Sequence, residues 1–354
     1  MRDIASKAGV SASAVSLALR NQPRVSVEER KRIQAIARDL GYRPDPEVAR
    51  LMEHLRTVRT ERRASVLAVI IPELDREGLA GYSPLTEIVK GVRSQAEEAG
   101  FATELFFLTD PGMTPTRLRT ILVARSIKGV IIAPYASGVG TIDLDMTGFC
   151  AATVGYSIVK PQLHRACPNY LQMMDELIDY LQQLHFQRIG FIMTYHKGGK
   201  GHKLLTSSYL YYQSLLDSSE RIPILPLQNA NARDISAWLT QHRPEVVISS
   251  GRVFNLLQGM GLRIPGDVHF ANIDLSEPPL QAAGMDHRYQ LVGSEEVSLV
   301  LNQFGLNLTG LPDAPKVVLV DSHRRDGFTL PTEPLRGGRT TTRRRMSFVK
   351  AEGH

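Results

Sequence analysis

Between Ser11 and Arg20 the chain gathers small hydroxyls, one apolar side chain and one cation at helical spacing. Ala12, Ser13, Ser16, Leu17 and Arg20 fall on one side of a short helix, and Val15, Ala18 and Leu19 fall on the other at i, i+3, i+4. A small, mostly uncharged face can lie against base edges without a large desolvation penalty, and an arginine at its end can meet a phosphate. Ser11 is placed to cap this helix with its hydroxyl. Ile4, Ala5, Ala8 and Val10 make the apolar face of a preceding helix, and Gly9 supplies the backbone freedom for the turn between the two. Ser26 to Glu29 is S-V-E-E, a capping-box pattern that starts a third helix, with Ile33, Ile36, Ala37 and Leu40 as its buried stripe and Gly41 as its end. Two helices around a tight turn, braced by a third, are a helix-turn-helix. Its second helix lies in the major groove of double-stranded DNA.

The charge distribution agrees. Residues 1–63 hold 14 basic and 8 acidic residues, net +6; residues 332–354 hold 6 and 2, net +4; the residues between them hold 22 and 26, net −4. Positive charge therefore collects at the two ends, where phosphate contact would use it. At 354 residues and 43% hydrophobic content, two or three soluble domains are expected. No apolar run reaches a membrane span, and the first residues lack the apolar stretch of a secretory signal, so a cytoplasmic protein is expected. Cys150 and Cys167 are too few for a disulfide framework and read as free thiols.

Enzyme chemistry finds no foothold. There is no H-E-x-x-H, C-x-x-C, G-x-S-x-G or Walker loop. His196-Lys197-Gly198-Gly199-Lys200-Gly201-His202 offers glycines, lysines and two histidines in a loop after a strand; a solvated loop, ligand contact and metal binding are its alternative readings, and its spacing fits no standard metal set. No cofactor or metal is expected.

The first 45 residues resemble the DNA-binding domain of the lactose-repressor (LacI/GalR) family. The carrying residues are D-I-A-S-K-A-G-V-S at Asp3–Ser11, A-V-S-L-A-L at Ala14–Leu19, Val25-Ser26 and L-G-Y-R-P-D at Leu40–Asp45. A weaker likeness continues to about Leu330. It runs through Gly100–Leu105, Gly129–Pro134, Leu184–Ile192, Gly261–Val268 and Ala283–His287. The resemblance implies contacts to DNA from Ser11, Ala12, Ser13, Ser16, Leu17, Arg20 and Ser26, and a hinge helix over residues 46–64. Leu51 or Met52 would enter the minor groove as a wedge, depending on the alignment. The family usually carries an arginine where Leu17 stands.

From Ser65 onward strands and helices alternate, the signature of parallel sheets flanked by helices. Val66–Ile71, Thr103–Leu108, Gly129–Ala133, Ala151–Gly155, Arg188–Met193, Ile222–Leu227, Val246–Ser249 and Val268–Ile273 read as strands. Leu85–Ala99, Thr114–Arg125 and Tyr170–Leu184 read as helices. The resemblance implies a periplasmic-binding-protein-like domain of two subdomains over 65–330, with crossovers near Lys160, Met285 and Pro315. The first subdomain would take about 65–159 and 287–313, and the second about 160–286 and 314–330. A small polar, sugar-like effector is expected in the cleft between them, with Tyr82, Tyr135, His196, Arg252 and Asp274 as contacts. Tyr195 and Tyr209 are further stacking candidates.

Several sugar-holding positions of the family are altered: Ser207 or Ser208 stands where an arginine is usual, Ser250-Gly251-Arg252 where Asn-Asp is usual, and Leu275 follows Asp274. Residues 331–354, basic and poor in apolar side chains, are expected to be disordered. A homodimeric repressor on a pseudopalindromic operator is the function these features imply together. A DNA-binding regulator without a small-molecule effector, and a solute-binding protein with no DNA role, are the alternatives.

Overall fold

The computed structural model describes residues 2–19, 25–40, 65–194, 200–227 and 232–335. Three helices form the N-terminal head: α1 (Arg2–Ala8), α2 (Ala12–Leu19) and α3 (Val27–Asp39). Ile4, Ala5, Ala8, Val15, Ala18, Val25, Ile33 and Ala37 make its core, with Val10, Leu17, Leu19 and Ile36 packed against it. Leu40, expected to close the buried stripe of α3, is instead exposed. Its N–H bonds to the Ile36 carbonyl as the helix C-cap, so the chain leaves the core there. The expected hinge over 46–64, with Leu51 and Met52, lies outside the described residues.

The rest of the chain forms two α/β units. The first, within residues 65–169 and 287–321, carries β1 (Ser65–Ile71), α4 (Arg76–Gly81), α5 (Ser83–Glu98), β2 (Phe101–Phe107), α6 (Pro115–Ala124), β3 (Gly129–Ile132), β4 (Gly140–Thr141), β5 (Cys150–Val154), β6 (Ile158–Lys160), β7 (His164–Pro168), α11 (Tyr289–Leu306) and β13 (Val317–Val320). Its main sheet runs β13-β7-β5-β3-β1-β2, every neighbour parallel. Strand period two divides the apolar residues between both faces. Leu67, Val69, Ile131 and Ala152 meet α5 and α11 on one face. Ala68, Ile70, Val130 and Ala151 meet Leu118 and Leu122 of α6 on the other.

The second unit carries α7 (Tyr170–Gln183), β8 (Ile189–Thr194), α8 (Lys200–Ser214), β9 (Leu225–Leu227), α9 (Ala232–His242), β10 (Val246–Ser249), α10 (Gly251–Gly259), β11 (His269–Asn272), β12 (Gly284–Asp286) and β14 (His323–Arg325). Its sheet runs β14-β12-β11-β10-β8-β9, parallel except for the β12–β14 pair. Side chains of α7 and α8 cover one face, around Ile248 and Ala271. Those of α9 and α10 cover the other, around Val247 and Phe270.

Two of the expected crossovers sit too early. β7, over residues 164–168, pairs with β5 and β13 in the first sheet, so the chain leaves that sheet after Asn169 rather than near Lys160. β13 likewise belongs to the first sheet, so the last crossing falls after Asp321 rather than near Pro315. The middle crossing, after Asp286, lies one residue from the expected position. Residues 331–335, expected to begin a disordered tail, are in place: Leu335 packs on the second core, and its N–H bonds to the Leu184 carbonyl at 3.1 Å. The remainder of the expected tail, 336–354, lies outside the described residues.

A carboxylic side chain is sealed inside the first unit. Glu296 of α11 is fully buried; one carboxylate oxygen accepts the Ala166 N–H of β7, and Oε2 has no hydrogen-bond partner. Burial pushes its carboxyl well above the ordinary glutamate value, against the pull of the Ala166 N–H and the nearby Arg165. A raised folded-state value means stability is full below the unfolded value and is lost as pH rises toward the folded one. Glu296→Gln keeps the shape and the acceptor without the ionisation. Its stability relative to the unsubstituted protein is therefore expected to grow as pH rises from 5 to 8. Urea unfolding across that range tests this, and parallel pH profiles would refute it.

Candidate DNA-binding and effector sites

The turn of the head is built from its own backbone. Gly9 takes φ +65°, and the Val10 N–H reaches the Ala5 carbonyl at 3.1 Å. Ser11 Oγ accepts the Ala14 N–H at 3.1 Å, so Ser11 is the cap that starts α2. Ser26 Oγ does the same for α3, accepting the Glu29 N–H at 3.3 Å, while the Glu29 carboxylate pairs with Arg32 at 2.5 Å. Arg32 also donates to the Ala8 carbonyl at 2.7 Å and Gln34 Nε2 to the Ala18 carbonyl at 3.1 Å. Two side chains of α3 thus lock the C-terminal ends of α1 and α2, which fixes the angle between the helices of the turn.

Ala12, Ser13 and Ser16 lie on α2; their side chains and Arg20 fall outside what is described. Leu17 corrects the reading of a fully outward face. It is half-buried and packs against the head's core, because α2 is only eight residues long and its apolar stripe is wide. Only part of the Leu17 side chain is left for a partner.

The expected effector residues distribute over the two units. Tyr82 is half-buried where α4 meets α5 and packs on the core on one face of the first sheet. Tyr135 packs on the core of the opposite face, its hydroxyl donating to the Thr141 carbonyl at 3.1 Å. Its ring occupies the space a Cβ on Gly140 would need, at 2.3 Å. Burial, and then the Glu73 charge, push the Tyr135 phenol up. Both tyrosines therefore serve packing at least in part.

Glu73, just beyond β1, is a residue the sequence reading missed. Its carboxylate accepts the Ala136 and Ser137 N–H groups at 2.7 and 3.0 Å and the Ser137 hydroxyl. Burial pulls its carboxyl up, but these three donors hold it below the usual range. It fixes the loop after β3.

In the second unit, Arg252 and Asp274 follow the carboxyl ends of two neighbouring interior strands. β10 and β11 are adjacent and end in register at Ser249 and Asn272. Arg252 is exposed in the first turn of α10. Asp274 is half-buried, and its Oδ1 accepts the Ser276 N–H at 2.9 Å. Asn272 is fully buried; Oδ1 accepts the Asp274 N–H at 3.1 Å, and Nδ2 finds no hydrogen-bond partner. Ser276 Oγ is also buried and unsatisfied. Glu277 adds a second carboxyl, pushed up by burial and then by the Asp274 charge. A Cβ on Gly251 would lie 1.9 Å from the Pro278 carbonyl oxygen, so this loop sits directly on the start of α10.

Asn272, Ser276 and Glu277 thus join Asp274 in one polar cluster that the motif positions did not reveal. Two unsatisfied buried donors beside two carboxyls can complement a small molecule bearing both donors and acceptors.

Tyr209, a stacking candidate, and Ser208, at an altered sugar-holding position, do not join it. Tyr209 is fully buried, its hydroxyl donating to the Ile189 and Ile222 carbonyls at 3.0 and 2.9 Å, because α8 turns it into the core. Ser208 is buried, its hydroxyl bonded to Asp175. Tyr195 and His196 lie outside the described residues. Among the described residues no cluster of His, Cys, Asp and Glu is placed to hold a metal ion, and no helix is long and apolar enough to cross a membrane. Cys150 and Cys167 are buried, and neither is in a disulfide.

A helix-turn-helix head followed by two parallel α/β units defines a DNA-binding regulator with a periplasmic-binding-protein-like body. Residues 1–45 match the family model described as bacterial regulatory proteins, lacI family. The head is thus a DNA-binding domain of the lacI family, and the chain as a whole is similar to regulators of that family. It is 23% identical over 330 residues to the HTH-type transcriptional repressor CytR of Escherichia coli (strain K12), covering 86% of this chain and 89% of that protein. It is 32% identical over 138 residues to the sucrose operon repressor of Klebsiella pneumoniae, a match spanning 38% of this chain and 36% of that repressor. A match to the regulator DegA of Bacillus subtilis also spans little more than a third of that protein, 37%. Among solved structures, the Lac repressor dimer bound to operator and the anti-inducer ONPF shares the fold at TM-score 0.52 and 16% identity, over 92% of this chain and 97% of that one. The regulator CelR in complex with cellobiose does so at 0.52 and 17%, over 92% and 98%.

Proposed function

We propose that the protein is a homodimeric repressor of transcription that binds a pseudopalindromic operator through two copies of α2. The observation that carries this reading is the head itself, whose capped α2 is tied to α3 by the Gln34 bond to the Ala18 carbonyl. The repressor names of the relatives support the sign of regulation, and the operator-bound dimer among the structural neighbours supports two-fold binding. One head reaches few base edges, so useful specificity needs two. Selection of bound sites from random DNA is expected to return an inverted repeat, with sedimentation showing two chains per site. Half-buried Leu17 offers only apolar contact, so the base it faces should tolerate loss of guanine, which an arginine there would demand. Recovery of a single half-site, or an absolute guanine requirement at that base, would overturn the reading.

The second part of the proposal is a small polar, sugar-like effector held at the carboxyl ends of β10 and β11. Asp274 would accept its hydroxyls, Asn272 and Ser276 would donate to it, and Arg252 would close over it. Arg252 places a cation in the first turn of a helix, where the helix dipole disfavours one, and a ligand acceptor would offset that cost. The residues at Ser207 or Ser208 and at Ser250-Gly251-Arg252 lack contacts expected for sugars, which favours the second reading of a regulator without an effector. Asp274→Ala and Arg252→Ala separate the two. Each should leave basal operator affinity within about twofold and reduce by more than about tenfold the response to any carbohydrate that shifts the thermal unfolding of the protein. No shift from any member of a carbohydrate panel would favour the effector-free regulator.

A further inference from the structure

We propose that the effector held at the carboxyl ends of β10 and β11 carries a protonated amine next to a hydroxyl, with the amine on the Glu277 carboxyl and the hydroxyl oxygen on Asn272 Nδ2. The proposal rests on the effector reading above and names the class of ligand within it: an amino sugar, not a neutral one.

The loop after β11 carries a carboxyl that the protein leaves unmatched. Glu277 is half-buried, and among the described residues it makes no ion pair and no hydrogen bond. Burial first, and then the charge of Asp274 three residues earlier, push its carboxyl up, and no cation pulls it back. A positive group on a ligand relieves both effects at once. A neutral hydroxyl leaves the repulsion between the two carboxyls in place. The protein's own candidates for that role are spent or turned away. Arg252, in the first turn of α10, is exposed and makes no ion pair among the described residues. The positive end of α10 is covered by the loop itself, because a Cβ on Gly251 would stand 1.9 Å from the carbonyl oxygen of Pro278, the residue after Glu277.

A buried donor on the same segment asks for an acceptor. Asn272, the last residue of β11, is fully buried; its Oδ1 accepts the Asp274 N–H at 3.1 Å, which holds the carboxamide against the loop, and its Nδ2 is left without a partner. The Ser276 N–H goes to Asp274 Oδ1 at 2.9 Å, and the Ser276 hydroxyl is buried and unpaired as well. Buried donors without partners are costly, and a ligand oxygen removes that cost. Residues 272–277 therefore want an acceptor and a cation from one small molecule. An amino sugar, with an ammonium group beside a hydroxyl, has that pattern, whereas a neutral hexose supplies the oxygen alone.

The test uses the full chain and three matched pairs: glucosamine with glucose, galactosamine with galactose, and mannosamine with mannose. Each is titrated by isothermal calorimetry at about pH 6.5, where such amines are protonated. At least one amine is expected to bind at least about tenfold tighter than its neutral twin, as a charge-assisted bond would give. Glu277→Gln, which keeps the shape and removes the charge, should cost that amine at least about tenfold and the neutral twin less than about threefold. A neutral sugar within about threefold of its amine twin would overturn the proposal and leave the effector reading standing. So would a Glu277→Gln change that weakens both twins alike or neither. Binding by none of the six would overturn it too, and the wider carbohydrate panel then decides the effector reading separately.

Discussion

Ile33→Ala is expected to abolish specific DNA binding while leaving both α/β units folded. Ile33 is fully buried at the middle of α3, and among the described residues the head's core holds eight buried apolar side chains. A large-to-small change at such a position costs about 2–5 kcal/mol. A unit of about 40 residues has little stability to spare. Loss of the α3 position also releases Arg32 and Gln34 from the Ala8 and Ala18 carbonyls, and with them the angle of the turn. Operator affinity should fall more than about a hundredfold, the change expected from about 3 kcal/mol. Thermal unfolding of the α/β units should keep its midpoint. Leu40→Ala, at an exposed neighbour on the same helix, is the control and should bind normally. Operator affinity within threefold of the unsubstituted protein for Ile33→Ala would show that this core does not hold the reading helix.

The second large effect is expected where two backbones touch. A Cβ on Gly91 of α5 would stand 1.9 Å from the Gln290 carbonyl oxygen of α11, and one on Gly293 would stand 2.2 Å from the Ile88 carbonyl oxygen. These obstacles are main chain, so no rotamer change can clear them. Gly91→Val must part the two helices and open the core formed by Leu85, Val92, Val292 and Val297. Overpacking costs about 1–3 kcal/mol where side chains can yield, and more where they cannot. For units of this size that lowers the unfolding midpoint by about 6–12 °C or prevents folding. Gly305→Ala lies on the same α11 with nothing within 4 Å of the added methyl. Helix propensity should make it neutral or stabilising by up to about 1 kcal/mol. Equal midpoints for the two variants would refute the close-contact account.

Much of this molecule is legible in the sequence because its elements are locally consistent. The head is written in caps and a turn glycine, Ser11, Ser26 and Gly9, each doing in the structure what its residue type suggests. Val66–Ile71 and Val246–Ser249 announce themselves as continuous apolar runs because parallel strands are buried on both faces. Where the reading fails, the deciding contact is distant in sequence. Nothing within 160–168 or 314–320 says which sheet those strands join; the pairing of β7 with β13 across about 150 residues decides it. Leu17 looks outward on a helical wheel, yet the shortness of the head lets the core reach it. Asn272, Ser276 and Glu277 carry no motif. They become a cluster only because a loop folds back over Gly251, the one residue small enough to admit the Pro278 carbonyl.

The insertion of the second unit between β7 and α11 bears on how the protein is made. The head and the first seven strands leave the ribosome with the first sheet still lacking α11, whose Val292, Val297 and Val300 close one face, and β13, which completes one edge. About 120 residues must be synthesised between Asn169 and Tyr289 before α11 begins. At roughly 5–20 residues per second that is a wait of about 6–24 s. During it the nascent chain carries an open apolar face around Leu67, Val69 and Ile131, while the head, whose described core is drawn from residues 4–37 alone, is free to fold. Translation therefore delivers the helix-turn-helix head before the α/β body is complete, and the half-finished first sheet is where a chaperone would be needed.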